Sequence, residues 1–73
     1  MITAYFDGGS RGNPGLAGWG AFIVHADGTV LAELSGALGV AINNVAEYHG
    51  LIAALQWAVD NDVTALTVKG DSL

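Results

Sequence analysis

The sequence predicts an α/β domain in the order β-β-β-α-β: a three-stranded antiparallel meander, one helix packed on the sheet, and a fourth strand parallel to the first. Three observations carry that expectation. Apolar runs rich in aromatic and β-branched residues are punctuated by Gly, Asp and Pro through the first half of the chain. A single apolar stripe at helical spacing follows Asn43 and Asn44. A last β-branched run ends in Gly70-Asp71.

The first strand is expected over Ile2 to Phe6, a short apolar run bounded by Asp7-Gly8-Gly9-Ser10 and buried on both faces. Arg11-Gly12-Asn13-Pro14-Gly15 is a concentrated turn signal. The second strand runs from Trp19 to His25, and Asp27-Gly28, where both residues tolerate positive φ, turns it back into a third over Val30 to Leu38. Asn43 or Asn44 caps the helix. Val45, Tyr48, Ile52, Leu55 and Val59 recur at spacings of three and four to make one apolar stripe, which fades near Asp60-Asn61-Asp62. Val63 to Gly70 reads as the fourth strand.

That order has a chemical consequence. A helix between strands is a crossover, which returns the chain parallel to an earlier strand. The most apolar candidate is the first. Parallel neighbours end at one edge, where open α/β sheets bind ligands, and this places Asp7 and Asp71 together. Glu47, in the first helical turn, approaches the same edge because the helix crosses the sheet.

The bulk properties bound the alternatives. Seventy-three residues make a single domain, 1–73, of a size that buries only about 60 % of its unfolded surface. With 52 % hydrophobic residues, the composition is globular. There is no cysteine, hence no disulfide and no thiolate metal site. No apolar run approaches the roughly 20 residues that span a bilayer, and no signal peptide follows Met1, so a soluble cytoplasmic protein is expected. The net charge of −5, with Arg11 and Lys69 as the only strong bases, argues against extensive phosphate binding and for a cation site.

Three converging carboxylates repel one another unless a cation lies between them, and hard oxygen ligands favour Mg²⁺ or Mn²⁺. Two such ions about 4 Å apart clamp the attacking water and the leaving oxygen of a phosphodiester. Each acid alone has a plainer reading. Asp7 before Gly8 suits a turn, Asn44 to Glu47 has capping-box spacing, and Asp71 suits a solvated strand end. Asp27, Glu33, Asp60, Asp62, His25 and His49 show no such convergence, and Trp19 and Trp57 read as packing residues.

The joint pattern resembles the ribonuclease H family, in its cellular type 1 form. Asp7-Gly8-Gly9-Ser10-Arg11-Gly12-Asn13-Pro14-Gly15 is similar to that family's first-strand motif, Asn43-Asn44-Val45-Ala46-Glu47-Tyr48 to its helix-start motif, and Gly70-Asp71-Ser72 to the end of its fourth strand. The resemblance implies Mg²⁺-dependent hydrolysis of the RNA strand of RNA/DNA hybrids, with Asp7, Glu47 and Asp71 as three of four metal-binding catalytic acids. It also implies hybrid contacts at Gly8, Ser10, Asn13, Asn43 and Asn44; a phosphate contact is expected at Arg11. RNA differs from DNA by a 2′-hydroxyl that donates and accepts, and Asn amides answer either way.

Two departures qualify it. Ile42 stands where the family very often has Thr. The chain ends at Leu73, immediately after the third acid, so the expectation is the N-terminal part of a truncated domain, its two-ion site incomplete and its activity weak. The unpartnered helix stripe and free strand edge lead to an expectation of self-association, or of a partner supplying the remainder. The competing readings are a non-catalytic module that binds hybrid or double-stranded RNA, and a structural or inhibitory protein whose carboxylates are incidental.

Overall fold

Three long strands, β1 (Ile2–Gly12), β2 (Gly15–His25) and β3 (Val30–Ala41), precede one helix, α1 (Asn43–Asp60), and a short strand, β4 (Thr67–Gly70). They form one sheet in the order β3-β2-β1-β4 in a computed structural model that describes residues 1–70. β1 is antiparallel to β2, β2 is antiparallel to β3, and β4 lies parallel to β1. The α/β meander-crossover architecture is thus as the sequence indicates.

The boundaries differ for physical reasons. β1 runs past Phe6 to Gly12 because β2 starts at Gly15 and pairs with it all the way, from Ile2↔His25 to Gly12↔Gly15. Backbone groups are satisfied in a ladder whatever the side chains are, so the glycine-rich stretch stays extended and the turn shrinks to Asn13-Pro14. In the second hairpin Gly28 alone takes positive φ (+91°), while Asp27 Oδ1 accepts a 2.8 Å hydrogen bond from Thr29 N. β4 is shorter than expected. Val63 N donates to Ala58 O at 2.9 Å, which ties the segment after α1 to the helix end and delays the strand to Thr67.

The helix is entered differently too. Ile42, extended at φ −92°, is the N-cap and makes no side-chain cap, so neither Asn43 nor Asn44 caps the helix; both lie within it. The face laid on the sheet is Ala46, Gly50, Ala54 and Ala58, all buried. Ala54 joins Ala4, Ala21 and Ile23 in the core, with Ile2, Phe6, Ala32, Leu34, Trp57 and Leu66 packed around them. The bulky stripe of Val45, Tyr48, Ile52, Leu55 and Val59 is on the other side, 42–70 % exposed. Small residues win the packed face because they let the helix backbone come close. A Cβ on Gly50 would meet Gly20 O at 3.0 Å and Asp7 O at 3.2 Å. Among the described residues, no helix is long and apolar enough to cross a membrane.

Candidate functional site

The parallel pairing of β1 with β4 ends at Phe6↔Gly70. Asp7 therefore stands one residue beyond the parallel ladder, although β1 itself continues against β2. It is exposed, and its Oδ1 accepts a hydrogen bond from Gly8 N at 2.8 Å, which fixes one carboxylate oxygen against the backbone. Asp71, the third acid of the expected set, lies outside the described residues.

Glu47 reaches this edge through a glycine. A Cβ on Gly8 would lie 2.3 Å from Ala46 C, 2.4 Å from Glu47 N and 2.5 Å from Ala46 O. β1 and the first turns of α1 thus touch backbone to backbone at the residue that follows Asp7. Asp7 and Glu47 are brought to adjoining positions by that contact, and no side chain other than hydrogen fits between them. The carboxylates supply hard oxygen donors of the kind Mg²⁺ and Mn²⁺ prefer, and in donor type the pair fits such an ion. Among the described residues, no group of three His, Cys, Asp or Glu is assembled; Asp71 is not among them.

Beside Asp7 lies an open cleft of about 410 Å³, lined by Tyr5, Phe6, Asp7, Lys69 and Gly70. Lys69 Nζ stands 5.9 Å from the Tyr5 ring centre, so one of the two strong bases of the chain shares the cleft with an acid. Tyr5 and Lys69 were not expected at this edge from the sequence. The signal was the parallel register itself, which pairs them. A Cβ on Gly70 would meet the Phe6 ring at 2.7 Å, so a larger residue there would push the ring aside.

The remaining expected contacts cluster where the β1–β2 turn meets the helix start. Ser10 N and Ser10 Oγ each lie 2.8 Å from Asn43 Oδ1, and Asn43 N donates to Asn13 Oδ1 at 3.0 Å. Ser10 Oγ also lies within hydrogen-bonding reach of Gly12 O. A side chain from the turn thus satisfies one of the orphan N–H groups of α1, the task that Ile42 cannot perform. Asn44 is exposed in the first helical turn, and Arg11 is exposed on β1 opposite Leu16. Trp19 packs its indole over Gly36, where a Cβ would stand 2.7 Å from Nε1.

Comparison with known proteins identifies relatives over nearly the whole chain. The model of the reverse transcriptase-like family matches residues 5–73. A ribonuclease HI of Halobacterium salinarum is 49 % identical over 71 residues, 97 % of this chain and 36 % of the relative. A bifunctional protein of Mycobacterium tuberculosis is 60 % identical over 67 residues, 90 % of this chain and 18 % of its own length.

Among solved structures, ribonuclease H1 of Halobacterium salinarum superimposes with a TM-score of 0.89 at 49 % identity, over 97 % of this chain and 54 % of that one. The N-terminal ribonuclease H domain of a Mycobacterium tuberculosis protein, solved as a fusion with maltose-binding protein, gives 0.91 at 56 % identity, over 97 % and 55 %. A ribonuclease H1 in complex with an RNA/DNA hybrid gives 0.88 at 42 % identity, over 99 % and 55 %. The chain spans about half of each solved relative, and less of the two curated ones.

Proposed function

This chain belongs to the ribonuclease H family, and from that premise we propose that it contributes the first part of a divalent-metal-dependent site that hydrolyses the RNA strand of RNA/DNA hybrids. The observation that carries the proposal is the backbone contact of Gly8 with Ala46 and Glu47, which sets two carboxylate-bearing residues side by side at the end of the parallel ladder. Asp71, which follows Gly70 in the sequence, is assigned as the third acid.

Asp7, Glu47 and Asp71 are the residues that would hold Mg²⁺ or Mn²⁺. Such an ion supplies charge neutralisation at a phosphodiester and an activated water. The chain's own residues bind and orient. Asp7 is held by Gly8 N so that one oxygen is fixed and the other stays available. Ser10, Asn13 and Asn43 are joined by hydrogen bonds where the turn meets the helix start, and Asn44 follows in the first helical turn. Because the chain covers about half of each solved relative, hydrolysis is proposed for the domain to which these residues belong. Cation and hybrid binding are proposed for the residues here.

Titration calorimetry with MgCl₂ and MnCl₂ tests the first step. The expected result is binding by the unaltered chain and none by Asp7→Asn. Equal binding by both removes the acids from the site. Hybrid binding that is indifferent to both the cation and Asp7→Asn would instead identify a non-catalytic binding module.

A further inference from the structure

The face of the sheet that does not carry α1 is crossed by a row of four side chains. Residues paired across strands share a face, and the registers Phe22↔Glu33, Tyr5↔Phe22 and Tyr5↔Lys69 run through all four strands. In the sheet order β3-β2-β1-β4 the row reads Glu33, Phe22, Tyr5, Lys69. Successive side chains on a strand alternate between faces. Ala4, Ala21 and Ile23 accordingly turn toward the helix and are buried, while all four members of the row are exposed.

An acid stands at one end of the row and a base at the other, with two aromatic rings, 38 % and 44 % exposed, between them. The end charges sit on the outermost strands, roughly 14 Å apart across three strand spacings, too far to meet within one chain. Neither makes an ion pair among the described residues; Lys69 Nζ rests 5.9 Å from the centre of the Tyr5 ring.

Such a row is complementary to itself. We propose that this open sheet face is the contact surface of a two-fold dimer, its occupant a second copy of this chain. With the axis along the strands between β2 and β1, Glu33 meets the partner's Lys69 and Phe22 meets the partner's Tyr5, and each contact occurs twice. Sheets packed face to face lie about 10 Å apart with strands within about 30° of each other, a gap that Glu and Lys side chains span from both sides. The two longer extents of the molecule are 36 and 22 Å, a face of up to about 800 Å², which is the share one partner contributes to a standard interface. The rings supply apolar area, and the end charges set register. The exposed stripe of α1 is apolar too, but Val45, Tyr48, Ile52, Leu55 and Val59 carry no charge that would select a partner. Asp7 stands two residues beyond Tyr5 on the same face of β1, so the dimer closes the cleft beside it and the monomer presents that edge to a ligand.

Sedimentation velocity on the 73-residue chain over a concentration series reads the dimer directly. The unaltered chain should pass from monomer to dimer; a monomer up to about 1 mM refutes the proposal. Glu33→Lys and Lys69→Glu each set like charges together at both ends of the row, and each should raise the dimer dissociation constant roughly tenfold or more. Both positions are exposed, so melting temperatures should not move. In an equimolar mixture of the two variants every end contact joins opposite charges again. The mixture should dimerise about as tightly as the unaltered chain. Bulk attraction cannot explain that recovery, because each swap changes the net charge of −5 by two, to −3 and −7. No recovery in the mixture overturns the two-fold row, as does a dimer indifferent to both single swaps. Ile52→Glu, on the exposed stripe of α1, should leave the dimer unchanged, and loss of the dimer there places the contact on the helix and refutes the sheet face.

Discussion

Replacing Gly8 by Ala, with Gly9→Ala as its control, separates the proposed contact from a general effect of glycine. The two residues are adjacent on one strand and differ in what a methyl group would meet. At Gly9 an added Cβ has nothing within 4 Å, whereas at Gly8 it lies 2.3 Å from Ala46 C and 2.4 Å from Glu47 N. Ordinary van der Waals contact begins near 3.4 Å, so α1 must withdraw from β1 by about 1 Å. The atoms involved are backbone, and no rotamer change relieves them. Overpacking of this kind costs about 1–3 kcal/mol. In a domain of 60–100 residues each kcal/mol moves the melting temperature by roughly 4–8 °C. Gly8→Ala should therefore melt about 10 °C lower than the unaltered chain. Gly9→Ala should melt at the same temperature or slightly higher, since alanine restricts the unfolded chain more than glycine does. Cation affinity should fall as well, because the withdrawal separates Asp7 from Glu47 and hard oxygen ligands must converge on one ion. Thermal melts followed by circular dichroism, paired with Mn²⁺ calorimetry below the melting range, check both. Equal melting temperatures for the two variants would refute the backbone contact. A destabilised Gly8→Ala with undiminished cation affinity would refute its role in bringing Asp7 to Glu47.

Three further outcomes follow from the packing and the turns. Ile23 is the largest fully buried side chain among the described residues, and Ile23→Ala should cost about 2–5 kcal/mol, read from the urea midpoint. Ala54→Leu, at a fully buried position on the packed helix face, should destabilise by about 1–3 kcal/mol, while Ile52→Gln on the exposed stripe should change stability by less than about 0.5 kcal/mol; the reverse order would mean that the helix faces the other way. Asp27 is held below its ordinary carboxylate value by the Thr29 backbone N–H first, then by the Thr29 hydroxyl and His25. A depressed folded value stabilises above the unfolded one, and that contribution is lost as pH falls through the folded value. Asp27→Asn should therefore reduce the acid sensitivity of stability only below the ordinary aspartate range, and an NMR titration placing Asp27 at or above that range would contradict the turn.

Much of the fold was legible because its signals are local. Gly28 marks the second hairpin, the glycine-rich run leads into the first, and the length of the α1 segment dictates a crossover and hence a β4 parallel to β1. The boundaries were less legible, because they depend on partners. Gly8 to Gly12 remain in β1 only because β2 extends to pair with them, and Val63 stays out of β4 because its N–H is taken by Ala58. The candidate acids could be named from the sequence, but what brings their positions together could not. Topology pairs Asp7 with Asp71 and lets the helix start carry Glu47 toward the same edge, but that Gly8 is the point of contact is a property of the assembled backbone. Likewise Ser10, Asn13 and Asn43 stand out as polar residues near a site, but their mutual bonds span 30 and 33 positions of sequence and have no local signature.

The helix carries two rows of different kind, and only one of them faces the sheet. Spacings of three and four identify the stripe of Val45, Tyr48, Ile52, Leu55 and Val59 because those side chains are large and apolar. The same helix carries Ala46, Gly50, Ala54 and Ala58 at a strict interval of four, and this second row is the one that is buried. A face of small residues loses hydrophobic area per residue, yet it lets backbone approach backbone, and the site depends on that approach. With Gly50 beside Gly20 O and Asp7 O, and Gly8 against Ala46, the strand bearing Asp7 and the turn bearing Glu47 are brought together by residues that carry almost no side chain. A larger residue at either glycine would bury more apolar surface and hold the two acids apart. The small-residue row thus serves close approach as well as packing, and its interval of four was readable in the sequence once close approach, rather than bulk, was the criterion.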